Sequence, residues 1–385
     1  MKAMLYFGIS IVLALFSCND KSSEDTVQPG AEEAFTGEVI ESQQQKFGVI
    51  KITEDLRNPW GIAFLPDGRI LVTERAGSIR IIKDGKLLED RISGVPKVYA
   101  QGQGGLLDIQ LHPDYATNGW IYLSYSKPGP GGAGTTIART KLDGNTFTEF
   151  QELFSAQPFS NSGVHFGSRI AFDGKGFIFF SSGERGTMDN AQTLTNHLGK
   201  IIRLHDDGRV PADNPFVGTP NAKPEIWSYG HRNPQGLIYD KENQLLIDHE
   251  HGPRGGDEIN IIQKGKNYGW PKISYGINYD GSVLTDKTAL PGMEQPIWYY
   301  VPSIAPCGMA KVTSDKYPGW KGNLLIGALA LQHISRVEIK DGKYVTHEKL
   351  LQDFARFRAL AQGPDGLIYA VTESPGTLIK LVPVK

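Results

Sequence analysis

At 385 residues and 39% hydrophobic content, the chain is long enough to bury a large core, as one big domain or two ordinary ones. A net charge of -2 excludes the strongly basic surface that a nucleic-acid partner requires. Forty-five glycines, 10% aromatics and no long Ala/Glu/Lys/Leu runs argue against a helical bundle and for an all-β protein with many turns.

The N-terminus reads as an export signal. Lys2 provides a positive start, and Ala3 to Phe16 is almost unbroken apolar sequence. About 14 residues suit a signal h-region better than a membrane span. The run ends in Leu15-Phe16-Ser17-Cys18, which resembles a bacterial lipobox, so Cys18 is the expected lipidated residue closing a leader of residues 1–18. A secretory peptide cleaved nearby is the alternative. Residues 19–46 are polar, acidic and poor in apolar side chains, as expected of a disordered tether, leaving 47–385 as the folded domain. Beyond Cys18 the sole cysteine is Cys307, so no internal disulfide is available to that domain.

From residue 59 onward the chain repeats itself. "PWGIAFLPDGRILVTER" (59–75) reads as a strand, a turn on Asp and Gly, and a second strand with alternating apolar residues. Next comes "QGQGG", where Gln103 stands among glycines that permit close backbone approach to a ligand. The second copy is "GLLDIQLHPDYATNGWIYLSY" (105–125). Before the third, "GSRIAFDGKGFIFFSSGER" (167–185), His165 and Arg169 lie close together at the strand entrance. A lone histidine in that position is as readily structural as catalytic.

"SYGHRNPQG" then offers His231, Arg232, Asn233 and Gln235 ahead of the fourth copy, "PQGLIYDKENQLLIDHE" (234–250). That copy runs into "HEHGPRGGDEINIIQKGKNYGWP" (249–271), a glycine turn beside adjacent acids. Carbonyls and carboxylates together suit calcium, which takes six to eight oxygens, although a solvated turn between strands would read the same way. The fifth copy is "CGMAKVTSDKYPGWKGNLLIGAL" (307–329). Arg356 and Arg358, two residues apart, face one side of an extended segment and suit a carboxylate-bearing ligand. "ALAQGPDGLIYAVTES" (359–374) completes the series.

Six strand-pair copies, roughly 45 to 70 residues apart, point to an all-β, six-bladed β-propeller with four-stranded blades. Two packed β-sandwiches are the runner-up. The polar stretches all lie beside repeats, which gathers them into one ligand funnel on the top face. A base, several cations and an oxygen-rich turn suit an anionic oxidising cofactor. No G-x-S-x-G or H-E-x-x-H motif points to hydrolysis.

"HFGSRIAFDGKGFIFFSSGERG", "GHRNPQG", "HEHGPRGGDEIN", "KNYGWP" and "PSIAPCGM", in that order, resemble the aldose sugar dehydrogenase branch of the soluble quinoprotein glucose dehydrogenase family. The likeness runs from about Leu56 to the C-terminus. It implies a six-bladed propeller binding pyrroloquinoline quinone (PQQ) and calcium, and oxidation of an aldose at C1 to the lactone. By resemblance, His165 is the general base and Arg232 stabilises charge on the quinone oxygen. Gln103, Arg232 and Asn233 contact the cofactor, whose carboxylates fall to Arg356 and Arg358. Gly252 and Pro253 hold its calcium through their carbonyls, while Asp257, Glu258 and Tyr268 belong to a further calcium cluster.

Two positions depart from the glucose enzyme's pattern. Ala330 stands where it has a cofactor-binding lysine, and Glu184 where it has an aspartate orienting the base. Glu184 is therefore expected to support His165 from behind. Two other classes stay open at this point, a calcium-dependent propeller lactonase and a non-catalytic propeller binding glycans or a protein at the cell surface. Sugar identity, electron acceptor, oligomeric state and membrane face are not legible in the sequence.

Overall fold

Each repeat copy folds as the two innermost strands of one sheet. In the first, Pro59–Phe64 pairs antiparallel with Ile70–Glu74, and Ser78–Lys83 and Lys86–Arg91 extend the sheet outward. The same order recurs from inner strands at Leu106–Leu111, Ile170–Phe172, Pro234–Asp240, Pro306–Lys311 and Phe357–Gln362. Near-continuous buried runs such as Pro59–Phe64 and Ile70–Glu74 cover both faces of the inner strands, so every sheet packs on two neighbours. The structure, a computed structural model, describes residues 35–384. The leader of residues 1–18, including Cys18, and the tether up to residue 34 lie outside the described residues.

The six sheets close into a ring, and the core is the set of seams between them. Leu71, Ile79 and Ile81 of the first blade pack against Leu106, Ile109 and Leu123 of the second. Similar clusters follow around the ring. The last seam joins Ile62, Val72 and Ile82 of blade one to Ala359, Tyr369 and Val371 of blade six. This is the expected six-bladed propeller. Among the described residues, helix is confined to one turn at Tyr115–Asn118 and a 3-10 turn at Met188–Gln192.

The ring is sealed by sequence that precedes the first repeat. Lys46–Thr53 pairs with Leu378–Val384, so the outer strand of blade six comes from the N-terminal side of the domain. Ile40–Glu41 pairs in turn with Lys46–Thr53, giving that sheet a fifth strand. The expected tether of 19–46 therefore gives way to paired chain by Ile40. Its polar composition hid a short edge strand, which needs no apolar face because its outer side meets water.

Candidate functional site

Inner strands of opposite blades begin with the same dipeptide, Asn58-Pro59 and Asn233-Pro234, and both asparagines face one cavity at the top of the channel. It encloses about 370 Å³ and is lined by Trp60, Arg75, Gln103, Asn233, Gln235, Arg356, Arg358 and Glu373, among others. A volume in the range of 300–1,000 Å³, with convergent polar groups, is that of a small-molecule site. Asn233 accepts from Gly167 N at 3.1 Å and from Gln235 at 3.3 Å, which locks its amide in place.

His165 stands beside this cavity. Its backbone N–H donates to Gln103 Oε1 at 2.8 Å, and its Nδ1 is bonded to Glu184. Glu184 is buried and its other oxygen, Oε2, has no partner. The histidine backbone sits at φ 54°, in the left-handed region that only surrounding structure can enforce on a non-glycine residue. Removal from water holds the imidazole below its ordinary pKa; the Glu184 bond pulls it up, and the Arg232 charge pushes it down. A ring that is neutral near pH 7, with Nδ1 fixed, leaves Nε2 as the proton-accepting atom.

The cations are held differently. Arg232 is buried, donates Nη1 to Gly252 O at 2.8 Å and His251 O at 3.2 Å, and lies over the Trp270 ring. Its Nε has no partner. Arg356 and Arg358 do face one side, and both reach Glu373, with Nε donating to its oxygens at 3.1 and 2.7 Å. Burial alone would raise Glu373, but the two guanidinium charges hold it below the usual carboxylate range. Arg358 also donates to Cys307 Sγ at 3.1 Å. Ala330 is exposed and places no cation here.

In blade four the glycine turn folds tightly over its acids. Asp257 accepts from Gly252 N at 2.9 Å, Ser303 Oγ at 2.5 Å, Ile304 N at 2.7 Å and Ala305 N at 2.9 Å. Its oxygens thus pin the turn to the next blade, and burial raises its pKa to about 6 despite those bonds. Below it, Glu250 and Glu258 pair across strands, beside a second cavity of about 10 Å³ that also touches Gly252, Tyr268 and Ser274. That is room for about one water-sized particle. Removal from water and the Glu250 charge push Glu258 well above the usual carboxylate range. Asp248, fully buried on the same sheet, has no hydrogen-bond partner for either oxygen. Tyr268 donates its hydroxyl to Ile261 O and stacks on His231. Pro253 lies in the turn, packed near Gly276.

Arg169 closes the funnel below. Its Nε donates to Gln235 O at 2.8 Å and its Nη2 to Arg358 O at 2.9 Å, while Nη1 lies 3.5 Å from Asp108 Oδ1. The guanidinium also stacks over Trp60 at 3.8 Å. With Nη2 also 3.6 Å from Cys307 Sγ, it touches all six blades, its own included, and it lines a lower cavity of about 300 Å³.

The fold thus brings Gln103, Asn233, Arg356 and Arg358 onto one cavity and sets His165 beside it, backed by Glu184. Arg232, Gly252, Glu258 and Tyr268 line the smaller cavity instead. Sequence reading passed over Glu373 and Glu250, which orders His231 at 3.0 Å and receives Arg232 N at 2.5 Å. A signal existed. "VTER", "DHEH" and "VTES" each place a glutamate at the top of the second strand, as Glu74, Glu250 and Glu373.

Comparison with known proteins agrees with this geometry. The Glucose / Sorbosone dehydrogenase family model matches residues 56–380. The aldose sugar dehydrogenase of Escherichia coli (strain K12) is 45% identical over 343 residues, 87% of this chain and 92% of that protein. The apo-form crystal structure of the soluble Escherichia coli aldose sugar dehydrogenase superposes with a TM-score of 0.84 at 43% identity, covering 88% of this chain and 99% of that one. The PQQ-bound aldose sugar dehydrogenase of Streptomyces coelicolor gives 0.73 at 27% identity, covering 88% and 99%.

Proposed function

Since this chain belongs to the Glucose / Sorbosone dehydrogenase family, we propose that it is a PQQ- and calcium-dependent enzyme that oxidises an aldose at C1 to the lactone and passes the electrons to an external acceptor. The observation that carries this reading is the neutral, Glu184-backed His165 beside a cavity rimmed by arginines.

The residues present fit both groups. Arg356 and Arg358 suit cofactor carboxylates, and Arg232, with its buried Nε unpartnered, has a donor to spare. Gln103 and Asn233 face the cavity with fixed amides. For calcium, the glycine turn offers carbonyls at Gly252 and Pro253, and the small cavity beside it offers the carboxylates of Glu250 and Glu258. When bound, PQQ supplies an electrophilic ortho-quinone carbon that accepts hydride. His165 Nε2 takes the proton of the C1 hydroxyl, and Glu184 holds the ring and stabilises its protonated form. Arg232 contributes positive charge where oxygen becomes anionic. A lactonase metal held at the channel centre has a competitor there already, since Arg169 brings its own cation to Asp108.

The test is reconstitution. PQQ and calcium added to the apo-protein should yield aldose-dependent reduction of an artificial dye. Turnover with a nicotinamide cofactor and no quinone would overturn the assignment. We propose further that the protein is exported to the periplasm or cell surface and anchored through Cys18. A Cys18→Ala variant should then leave the membrane fraction, and unchanged partitioning would count against the anchor.

A further inference from the structure

Three arginines and a single acid, Glu373, line the main cavity, and the acid is already shared by Arg356 and Arg358. The third arginine, Arg75, directly follows the second strand of blade one. Its backbone is fixed on both sides, N–H to Asn58 O at 3.1 Å and C=O from Leu106 N at 3.0 Å. Its side chain makes one hydrogen bond, from Nη1 to Gly102 O at 2.8 Å, next to Gln103. Its Nε is buried and unpartnered. Among the described residues no carboxylate forms an ion pair with it. Burial and the Arg358 charge lower its pKa, and the Glu373 charge offsets them only in part.

A neutral amide could satisfy Gly102 O equally well, so that bond does not explain a guanidinium here. Partly buried positive charge is costly unless paired. The charge faces the cavity, whose one acid, Glu373, is already engaged by two other arginines. We propose that Arg75 is a third cofactor-binding cation, which pairs with a carboxylate of a polycarboxylate ligand alongside Arg356 and Arg358. This rests on the PQQ reading for the ligand's identity and on the cavity alone for its chemistry. Its fork geometry suits a carboxylate better than a point charge would.

Two titrations test it. PQQ binding, followed by protein fluorescence with calcium present, should weaken about ten- to a hundred-fold in Arg75→Gln, which keeps a donor for Gly102 O, and less in Arg75→Lys. Circular dichroism and the apo melting temperature check the fold, and if Arg75→Gln does not fold, the equally uncharged Arg75→Met decides alone. Affinity within two-fold of wild type in the deciding variant overturns the inference. Should wild type itself fail to bind PQQ, the functional reading fails. Citrate then serves as the tricarboxylate probe. Thermal protection by citrate that is lost in the variant supports the cation site, and equal protection in both proteins overturns it.

Discussion

Glu184 binds His165 through one oxygen and keeps the other buried with no partner. A single acid therefore sets the histidine's tautomer, its orientation and part of its pKa. His165→Ala should retain PQQ and lose about 10²- to 10⁴-fold in kcat, the usual loss for a general base. Added PQQ should not rescue it. Near-normal turnover at high PQQ would move the base elsewhere, with His231 or Glu184 next to test.

The same pair gives a pH prediction. His165 must be neutral to accept a proton, so kcat/KM should fall as pH drops through its folded pKa, which lies below the ordinary histidine value. The Glu184 bond raises that pKa, so Glu184→Gln should move the acidic limb to lower pH while reducing the plateau. A limb that shifts upward, or stays put, would show that Glu184 does not act through the imidazole.

Arg356→Ala and Arg358→Ala should weaken PQQ binding by about one to two decades, the worth of a charge-assisted hydrogen bond. Saturating PQQ should recover much of their activity. Glu373→Ala is expected to act unequally on the two states. It leaves two guanidiniums uncompensated in the apo-protein, so the apo melting temperature should fall more than that of the PQQ complex.

Calcium should stabilise as well as activate. At 100-fold excess over Kd, a ligand of the folded state contributes about 2.7 kcal/mol. Glu258→Gln should shrink the calcium-induced rise in melting temperature. Because the ion must compete with protons for raised carboxylates, that rise should be larger at pH 7 than at pH 5. A chelator that leaves both melting and dye reduction unchanged would remove calcium from the scheme.

Arg169→Met should cost about 3–5 kcal/mol in denaturant unfolding, because it strands the buried Asp108 carboxylate. Adding Asp108→Asn should recover part of that loss. Additive losses in the double variant would show that the two side chains do not depend on each other.

The ring was legible because a two-residue period and Asp/Gly turns are local signals, and they recur six times. Where the ring is cut was not. "KFGVIKIT" reads simply as one more strand, and nothing in it names Leu378–Val384 as its partner. The polar loops were legible as a set, and Gln103, Asn233 and the arginine pair do share one cavity. Their acid partners were not, since a glutamate ending a strand looks like any solvated terminus until the blades bring a cation to it. Arg169 was noticed beside His165 but not as a hub. Its partners Gln235, Arg358 and Asp108 lie 60 or more residues away along the chain, and only ring closure brings them together.

The closing strand sets an order of events during synthesis. Lys46–Thr53 is among the first folded segments to be made, yet its partner Leu378–Val384 is among the last. At about 5–20 residues per second, the intervening ~330 residues keep that edge waiting roughly 15 to 70 seconds. Late in that interval five sheets have their strands while the sixth holds its outer strand and still lacks the inner ones, so the ring stays open until its final strand arrives. Any factor that shields hydrophobic edges has most to do in that interval, and a truncation after residue 377 should leave a chain that makes its blades and never closes the circle.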